Sequence, residues 1–299
     1  MELKGIAPII ATPFTLSGEV DEDSLRSLLR ALIRGGCHAL TLFGIAGEYY
    51  KLSDEESCRM TDIVVQECKA GGVPSIVSIT QHATEIAVRR ARETEAAGAD
   101  CLMLLPPFFL KPGAEALYEH IKSVAQAVKI PVMVQYAPEQ TGVAIPPETF
   151  RRLSEEAENI THYKIECKPV GAYLSKLLEI TRRSVTVFVG NAGYQLPEAF
   201  DRGAVGAMPG CSMYDIYLKI YHAYFSGKRE EAVLLHDSLL PMLNHIRQNV
   251  EMIIAFEKRI LKRRGIIETD YCRRPAYTPD STMEKLFDEY YEKLSPYFD

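Results

Sequence analysis

Residues 101–137 read CLMLLPPFFLKPGAEALYEHIKSVAQAVKIPVMVQYA and contain a complete strand–helix–strand unit. The apolar runs CLMLLP (101–106) and VMVQYA (132–137) are continuous rather than alternating, as expected for parallel strands buried on both faces. Between them, residues 113–129 repeat apolar side chains at the spacing of an amphipathic helix. The stretch therefore predicts two parallel strands joined by a helix.

The same unit recurs along the chain. Six further strand candidates are GIAPIIATPF (5–14), HALTLFG (38–44), SIVSIT (75–80), THYKIE (161–166), VTVFVG (185–190) and GAVGAMPG (203–210). Further helical patterns cover residues 21–35, 53–71, 146–157, 169–183 and 194–202, and the second of them opens with a capping box at Ser53 and Glu56. Eight strands, most of them followed by a helix, predict an α/β fold of the (β/α)8 TIM-barrel class.

A doubly wound open sheet is the main alternative fold. Such sheets usually carry a glycine-rich phosphate-binding turn after the first strand, and the sequence has neither GxGxxG nor GxxxxGK[ST]. From residue 212 onward the pattern is helical only, over 212–226, 228–247, 249–264 and 282–293. We therefore predict a barrel over residues 1–225 and a C-terminal helical extension over 226–299 that packs on it.

Composition excludes several classes of partner. The net charge of −6 argues against a nucleic-acid partner and against a membrane surface held by charge, and the apolar fraction of 47% allows a sizeable core. A basic cluster, Lys258, Arg259, Lys262, Arg263 and Arg264, is interpreted as a solvated helix face. Without an apolar run of about 18 residues, no membrane span is expected. Seven scattered cysteines, no zinc-type spacing and no signal peptide predict a cytoplasmic protein without a metal site.

The carboxyl ends of the strands are where a barrel of this class places its chemistry. Lys164 lies inside the short apolar strand 161–166, where partial desolvation favours a neutral amine that attacks a carbonyl carbon. The alternative is a structural lysine paired with Glu166, which has the same side-chain parity. Tyr136 ends the preceding strand and could move protons, or it could be a rim tyrosine. Gly44, Gly47 and Gly190 allow a ligand to approach the backbone closely, or they serve tight packing.

These residues together resemble the dihydrodipicolinate synthase / N-acetylneuraminate lyase family of class I Schiff-base aldolases, over nearly the whole chain. The matching features are GIAPIIATPF, Gly44-x-x-Gly47-Glu48 followed by LSDEE, AGAD before a strand that ends in Pro-Pro, and Tyr136 with Pro138 and Thr141-Gly142. Lys164 on strand 6 and Gly190 at the end of strand 7 complete the pattern.

The resemblance implies that pyruvate or another 2-keto acid forms a Schiff base on Lys164, with Tyr136 as the proton shuttle. It implies that the turn around Ala46 and Gly47 binds the keto-acid carboxylate through backbone N–H groups. It requires no metal or organic cofactor, because the iminium itself is the electron sink. It also implies a homotetramer, a dimer of dimers, with Phe108 and Phe109 at the tight dimer interface.

Three features of the synthase pattern are missing from this sequence. Ile45 and Ala46 replace the usual hydroxyl residues of the turn, and Phe109 replaces a second tyrosine. Gln140 stands where the synthase carries an arginine for the aldehyde substrate's carboxylate. Loss of a charged partner costs a bound carboxylate about 2–5 kcal/mol, which disfavours aspartate-semialdehyde as the second substrate.

Four functions therefore stay open at the level of sequence. The first is a Schiff-base lyase, either an aldolase or a dehydratase, acting on a 2-keto acid. The second is 4-hydroxy-tetrahydrodipicolinate synthase or N-acetylneuraminate lyase proper. The third is a barrel that binds keto acids without turnover, and the fourth uses the Gly190–Gly193 turn to bind phosphate, although no lysine or arginine accompanies that turn.

Overall fold

The structure, a computed structural model, describes residues 3–298 and contains eight strands that alternate with helices. The strands are β1 (Gly5–Ile6), β2 (Leu40–Leu42), β3 (Ser75–Ile79), β4 (Cys101–Leu104), β5 (Val132–Tyr136), β6 (Ile160–Ile165), β7 (Thr186–Val189) and β8 (Gly206–Ala207). The helices are α1 (Glu22–Arg34), α2 (Asp54–Gly71), α3 (Thr84–Ala96), α4 (Ala114–Gln126), α5 (Pro138–Thr141), α6 (Pro147–Glu156), α7 (Val170–Ile180), α8 (Leu196–Arg202), α9 (Tyr214–Phe225), α10 (Arg229–Ile246), α11 (Val250–Arg263) and α12 (Ser281–Leu294). This order is that of a (β/α)8 chain followed by helices, as the sequence predicts.

Two compact units make up the chain. The first contains Pro74–Met208 together with the first residues of the chain, and the second contains Gly5–Val73 and Pro209–Asp299. The sequence predicts that the barrel ends at residue 225. The boundaries of the two units do not test that prediction. Within residues 3–298, none of the helices is long and apolar enough to cross a bilayer.

The first unit is built on a continuous parallel ladder from β3 to β8. Each of these strands pairs with the next one along the chain, and helices α3 to α8 connect them. Nearly every strand residue is buried, which explains the continuous apolar runs in the sequence. Two helices of this unit were not predicted, the single turn Pro138–Thr141 and the longer Thr84–Ala96. The buried face of Thr84–Ala96 consists of the small residues Ala87, Ala91 and Thr94 rather than large apolar ones, so the sequence shows little periodicity there.

The second unit contains β1, β2 and the helices α1, α2 and α9 to α12. Strand β1 is much shorter than the predicted run 5–14, because Pro8 and Pro13 have no backbone N–H to donate to a ladder. Beyond β1, Ile9 forms isolated parallel bridges with Thr41 and with Gly210. The predicted capping box of α2 is present, with Ser53 and Glu56 each binding the backbone N–H of the other.

A buried ion pair joins the Gly44–Glu48 turn to helix α11. Glu48 and Lys258 are both fully buried and contact each other, and Lys258 Nζ also donates to Tyr271 O at 3.0 Å. On the other carboxylate oxygen, Lys51 Nζ lies 3.2 Å away. The predicted solvated face is therefore wrong for Lys258, which falls on the buried side of α11 together with Ile254 and Leu261.

The remainder of the basic cluster is mixed. Arg264 is intermediate in overall exposure, but its side chain is mostly covered, and its guanidinium lies 2.6 Å from Asp215. Arg259, Lys262 and Arg263 pair with acidic side chains at the surface, as the sequence predicts. The helical spacing therefore divides one run of like charges between the interior and the solvent.

We expect Lys258→Met to lower the free energy of unfolding by about 3–5 kcal/mol, because it leaves the Glu48 carboxylate buried without its main partner. Urea denaturation of the purified variant measures this change. The double variant Glu48→Gln/Lys258→Met, which removes both charges, should regain most of the loss.

The matched control for this experiment is Lys262→Met on the same helix. Lys262 is half-exposed and pairs with Asp270 at 2.8 Å, so its replacement should cost about 0–1 kcal/mol. Equal effects of the two methionine substitutions would contradict a structural role for the buried pair.

Candidate active site

Strand β6 places Lys164 in the interior of the first unit. Alternation along the strand puts Tyr163 and Ile165 on one face and Lys164 on the other. Tyr163 lies against α6, where its hydroxyl donates to Phe150 O at 2.8 Å. Lys164 is 2% exposed, so the expectation of a lysine buried within the strand holds in the structure.

The carboxylate of Glu166, directly after β6, lies beside the lysine. Lys164 Nζ and Glu166 Oε1 are 3.4 Å apart. Glu166 Oε2 accepts a hydrogen bond from Gln135 Nε2 at 2.5 Å, and Oε1 accepts one from the Asn191 backbone N–H at 3.2 Å. Two neutral donors and the lysine therefore hold the carboxylate, which satisfies charged groups that are otherwise costly to bury.

Gly190 makes room for this carboxylate. A Cβ atom at position 190 would lie 2.1 Å from Glu166 Oε1, well inside van der Waals contact. The φ angle of Gly190 is −97°, outside the left-handed region, so the requirement here is space rather than conformational freedom. Gly190, which the sequence analysis assigned to ligand binding, thus contacts the Glu166 side chain.

Tyr136 lies on the opposite face of the sheet from Lys164. The register of β5 against β6 pairs Gln135 with Lys164 and Tyr136 with Ile165, and paired residues of parallel strands share a face. The ring of Tyr136 stacks on that of Tyr173, with 4.6 Å between centroids, and meets Phe150 edge-on at 5.8 Å. The expectation that Tyr136 shuttles protons for Lys164 was based on its place at the end of the preceding strand. It did not take into account the register between the two strands.

The surroundings of Tyr136 set its titration. Burial raises the pKa of Tyr136, and a hydrogen bond from the Ile145 backbone N–H opposes part of that rise. The neighbouring Tyr173 hydroxyl donates to Ile145 O at 2.7 Å, and burial raises the pKa of Tyr173 as well. Both phenols are therefore held in the protonated form at neutral pH.

The two remaining predicted residues of this unit are both exposed. Gln140 ends the first turn after β5, and its Nε2 lies 3.5 Å from Asn191 Oδ1. Phe109 follows β4 and is 79% exposed, next to Leu110 at 84%. Phe108, in contrast, packs edge-on against the His82 ring with 4.7 Å between centroids.

In the second unit, the Gly44-Ile45-Ala46-Gly47 turn is a short 3-10 segment with little space around it. A Cβ atom at Gly44 would lie 2.5 Å from Ile9 Cγ2, and one at Gly47 would lie 2.8 Å from Ile10 O. The Gly47 N–H donates to Gly44 O at 2.8 Å, within the turn itself. In this conformation the N–H group of Gly47 is therefore already bound within the turn. The role of Gly47 in binding a carboxylate stays a prediction.

Sequence reasoning missed two members of the Lys164 cluster and one role of a third. Gln135 and Asn191 were not singled out, and Glu166 was considered only as a structural partner of the lysine. The alternation of side chains along 161–166 indicates that Glu166 lies on the same side as Lys164. The positions of Gln135 and Asn191 depend instead on how the neighbouring strands pair. No group of three or more His, Cys, Asp or Glu side chains suited to a metal ion occurs in residues 3–298.

The known proteins to which this chain is similar include two enzymes and a crystal structure. A 4-hydroxy-tetrahydrodipicolinate synthase from Bacillus velezensis is 31% identical over 248 residues, which cover 82% of this chain and 84% of that protein. An L-2-keto-3-deoxyarabonate dehydratase from Azospirillum brasilense is 28% identical over 290 residues, or 95% of this chain and 92% of that protein. The crystal structure of dihydrodipicolinate synthase from Aquifex aeolicus is 26% identical and superposes with a TM-score of 0.90 over 98% of both chains.

The superposition confirms the predicted (β/α)8 fold class, because it extends over nearly the whole chain. The family model described as the Dihydrodipicolinate synthetase family matches residues 2–292. The predicted enzyme class, a lyase or dehydratase of the class I aldolase type, is thereby confirmed as well. Fold, buried strand lysine and family match agree, and the chain belongs to the dihydrodipicolinate synthetase family.

Proposed function

We propose that this enzyme forms a Schiff base between Lys164 and the keto carbon of pyruvate or another 2-keto acid. The observation that supports this most is the burial of Lys164 on β6 beside a fixed carboxylate. An amine in such a place is shielded from water and can be relieved of its proton by its neighbour. The iminium then withdraws electrons from the adjacent carbon, where a C–C bond forms or breaks or a hydroxyl group leaves.

Within this class we propose a reaction other than condensation with aspartate-semialdehyde. Gln140 is neutral and exposed, so it offers that substrate's carboxylate a dipole rather than a cation. Ile45 and Phe109 have no hydroxyl group for a proton relay. The Azospirillum relative is a dehydratase of a 2-keto-3-deoxy sugar acid, which supports a hydroxylated 2-keto acid as the substrate class here.

The proposal includes the setting in which the enzyme works. Iminium chemistry needs neither a metal nor an organic cofactor. The seven cysteines are widely scattered along the sequence, which supports a reducing compartment such as the cytoplasm. The carboxylate-binding role of Gly44, Ile45, Ala46 and Gly47 and the shuttle role of Tyr136 stay predictions from the family resemblance.

We expect sodium borohydride to trap a 2-keto acid covalently on Lys164. The wild-type protein is incubated with pyruvate or with a 2-keto-3-deoxy sugar acid, then reduced and examined by intact mass and peptide mapping. Lys164→Ala should abolish trapping, because the nucleophile is gone, while circular dichroism shows the fold to be retained.

The matched control is Lys168→Ala, four residues further along. Lys168 is mostly exposed and pairs with Glu139 at 2.9 Å, so its loss should leave trapping unchanged. Adduct on a lysine other than Lys164, or full trapping in Lys164→Ala, would refute the assignment of the nucleophile.

We expect the enzyme to be a poor 4-hydroxy-tetrahydrodipicolinate synthase. In a coupled assay with pyruvate and aspartate-semialdehyde, kcat/KM should fall several powers of ten below that of an authentic synthase, each power being worth about 1.4 kcal/mol. Gln140→Arg should raise this activity about tenfold or more by supplying the cation. Gln66→Arg, which adds the same charge on the exposed side of α2, should not; a wild-type value within tenfold of the authentic enzyme would make synthase the leading function.

We also propose a homotetramer made of two tight dimers. Its support in the structure is the exposed pair Phe109 and Leu110, since two adjacent large apolar side chains rarely face water without a partner.

Light scattering should therefore give about four times the chain mass of 33.5 kDa. The double variant Phe109→Ser/Leu110→Ser should shift the protein toward smaller species, because it removes apolar contact area. Leu234→Ser, which changes an exposed leucine on α10, is the control. A wild-type monomer at micromolar concentration would contradict the proposal.

A further inference from the structure

We propose that Glu166 is a catalytic residue that carries the protons of Schiff-base formation on Lys164, an inference that rests on the proposed function. The Glu166 carboxylate touches the reacting nitrogen directly, with Oε1 3.4 Å from Nζ. A general acid–base group must lie within hydrogen-bond reach of the atom it serves, and small side-chain adjustments on substrate binding close a distance of this size.

The carboxylate is held in position by the elements around it. Gln135 on β5 binds Oε2, and the Asn191 N–H after β7 binds Oε1. The missing side chain of Gly190 provides the space that Oε1 occupies. Since Gln135 and Asn191 donate as neutral groups, they orient the carboxylate without competing for the proton it exchanges with the lysine.

Tyr136 is placed less well for the same task. Its ring packs between Tyr173 and Phe150 on the face of the sheet that α6 and α7 cover. On that face it is paired with Ile165, whereas Gln135 is the residue of β5 that is paired with Lys164. The strand register thus puts Glu166 and its partner Gln135, rather than the tyrosine, on the nucleophile's side.

The step balances in protons and electrons. Glu166 takes one proton from the Lys164 ammonium, and the neutral amine attacks the keto carbon as the carbonyl π bond opens onto oxygen. A proton moves from nitrogen to that oxygen to give the carbinolamine. Glu166 then returns its proton to the hydroxyl group, the C–O bond breaks, water leaves, and the nitrogen lone pair completes the iminium.

The test measures imine formation in single turnovers, by quenching with borohydride at successive times after pyruvate is added. Glu166→Gln, which keeps the shape but not the proton, should slow trapping on Lys164 about 10²–10⁴-fold. Trapping should still reach completion at long times, because Lys164 is intact. Glu139→Gln, which makes the same change on an exposed carboxylate that pairs with Lys168, should form the imine at a rate within about threefold of wild type.

A second variant separates chemistry from a purely structural role. Glu166→Ala leaves space in which formate can act as a substitute carboxylate, and added formate should raise its rate of imine formation in proportion to concentration. The inference is overturned if Glu166→Gln forms the imine at the wild-type rate, or if both Glu166 variants keep their fold and formate has no effect. Failure of the wild-type protein to trap any 2-keto acid would instead refute the proposed function.

Discussion

The first unit depends on burying two opposite charges, those of Lys164 and Glu166, side by side at β6. Removing an ammonium or a carboxylate from water costs several kcal/mol each, and the attraction between them offsets that cost only with good geometry and further hydrogen bonds. The neighbouring strands supply those bonds. Strand β5 faces the pair with Gln135, and the chain after β7 presents the Asn191 N–H.

The position of Tyr136 follows from the same constraint. Once Gln135 is required opposite Lys164, the next residue of β5 belongs to the other face, where α6 and α7 provide aromatic contacts. A shift of one residue between the strands would exchange the two side chains and leave Glu166 without its amide donor. The hydrogen bond that Glu166 needs from Gln135 therefore places the Tyr136 ring on the opposite face of the sheet.

Much of this arrangement could be predicted from the sequence. Continuous apolar runs gave the eight strands, and the capping box and helical spacing gave α2 and the C-terminal helices to within a few residues. The partner of Lys164 across the sheet could not be read in this way, because register depends on tertiary pairing. Lys258 was misassigned for a similar reason, since a run of like charges says nothing about which member meets the carboxylate of Glu48.

The second unit uses charge for a different purpose. Glu48 adopts a left-handed backbone conformation, with φ of 60°, which costs a residue with a side chain about 1 kcal/mol or more. Its carboxylate is held by Lys258 from α11 and by Lys51 from the adjoining turn. A buried pair of this kind adds little net stability, although removing one partner from it is costly.

The contact between Gly190 and Glu166 ties two distant positions of the sequence together. Any side chain at 190 would occupy the volume of the carboxylate, and a shorter residue at 166 would leave that volume empty. Neither position can change alone without a clash or a cavity. A lineage that exchanged this carboxylate for a smaller group would be free to acquire alanine or serine at 190, so the two positions are expected to diverge as a pair across the family.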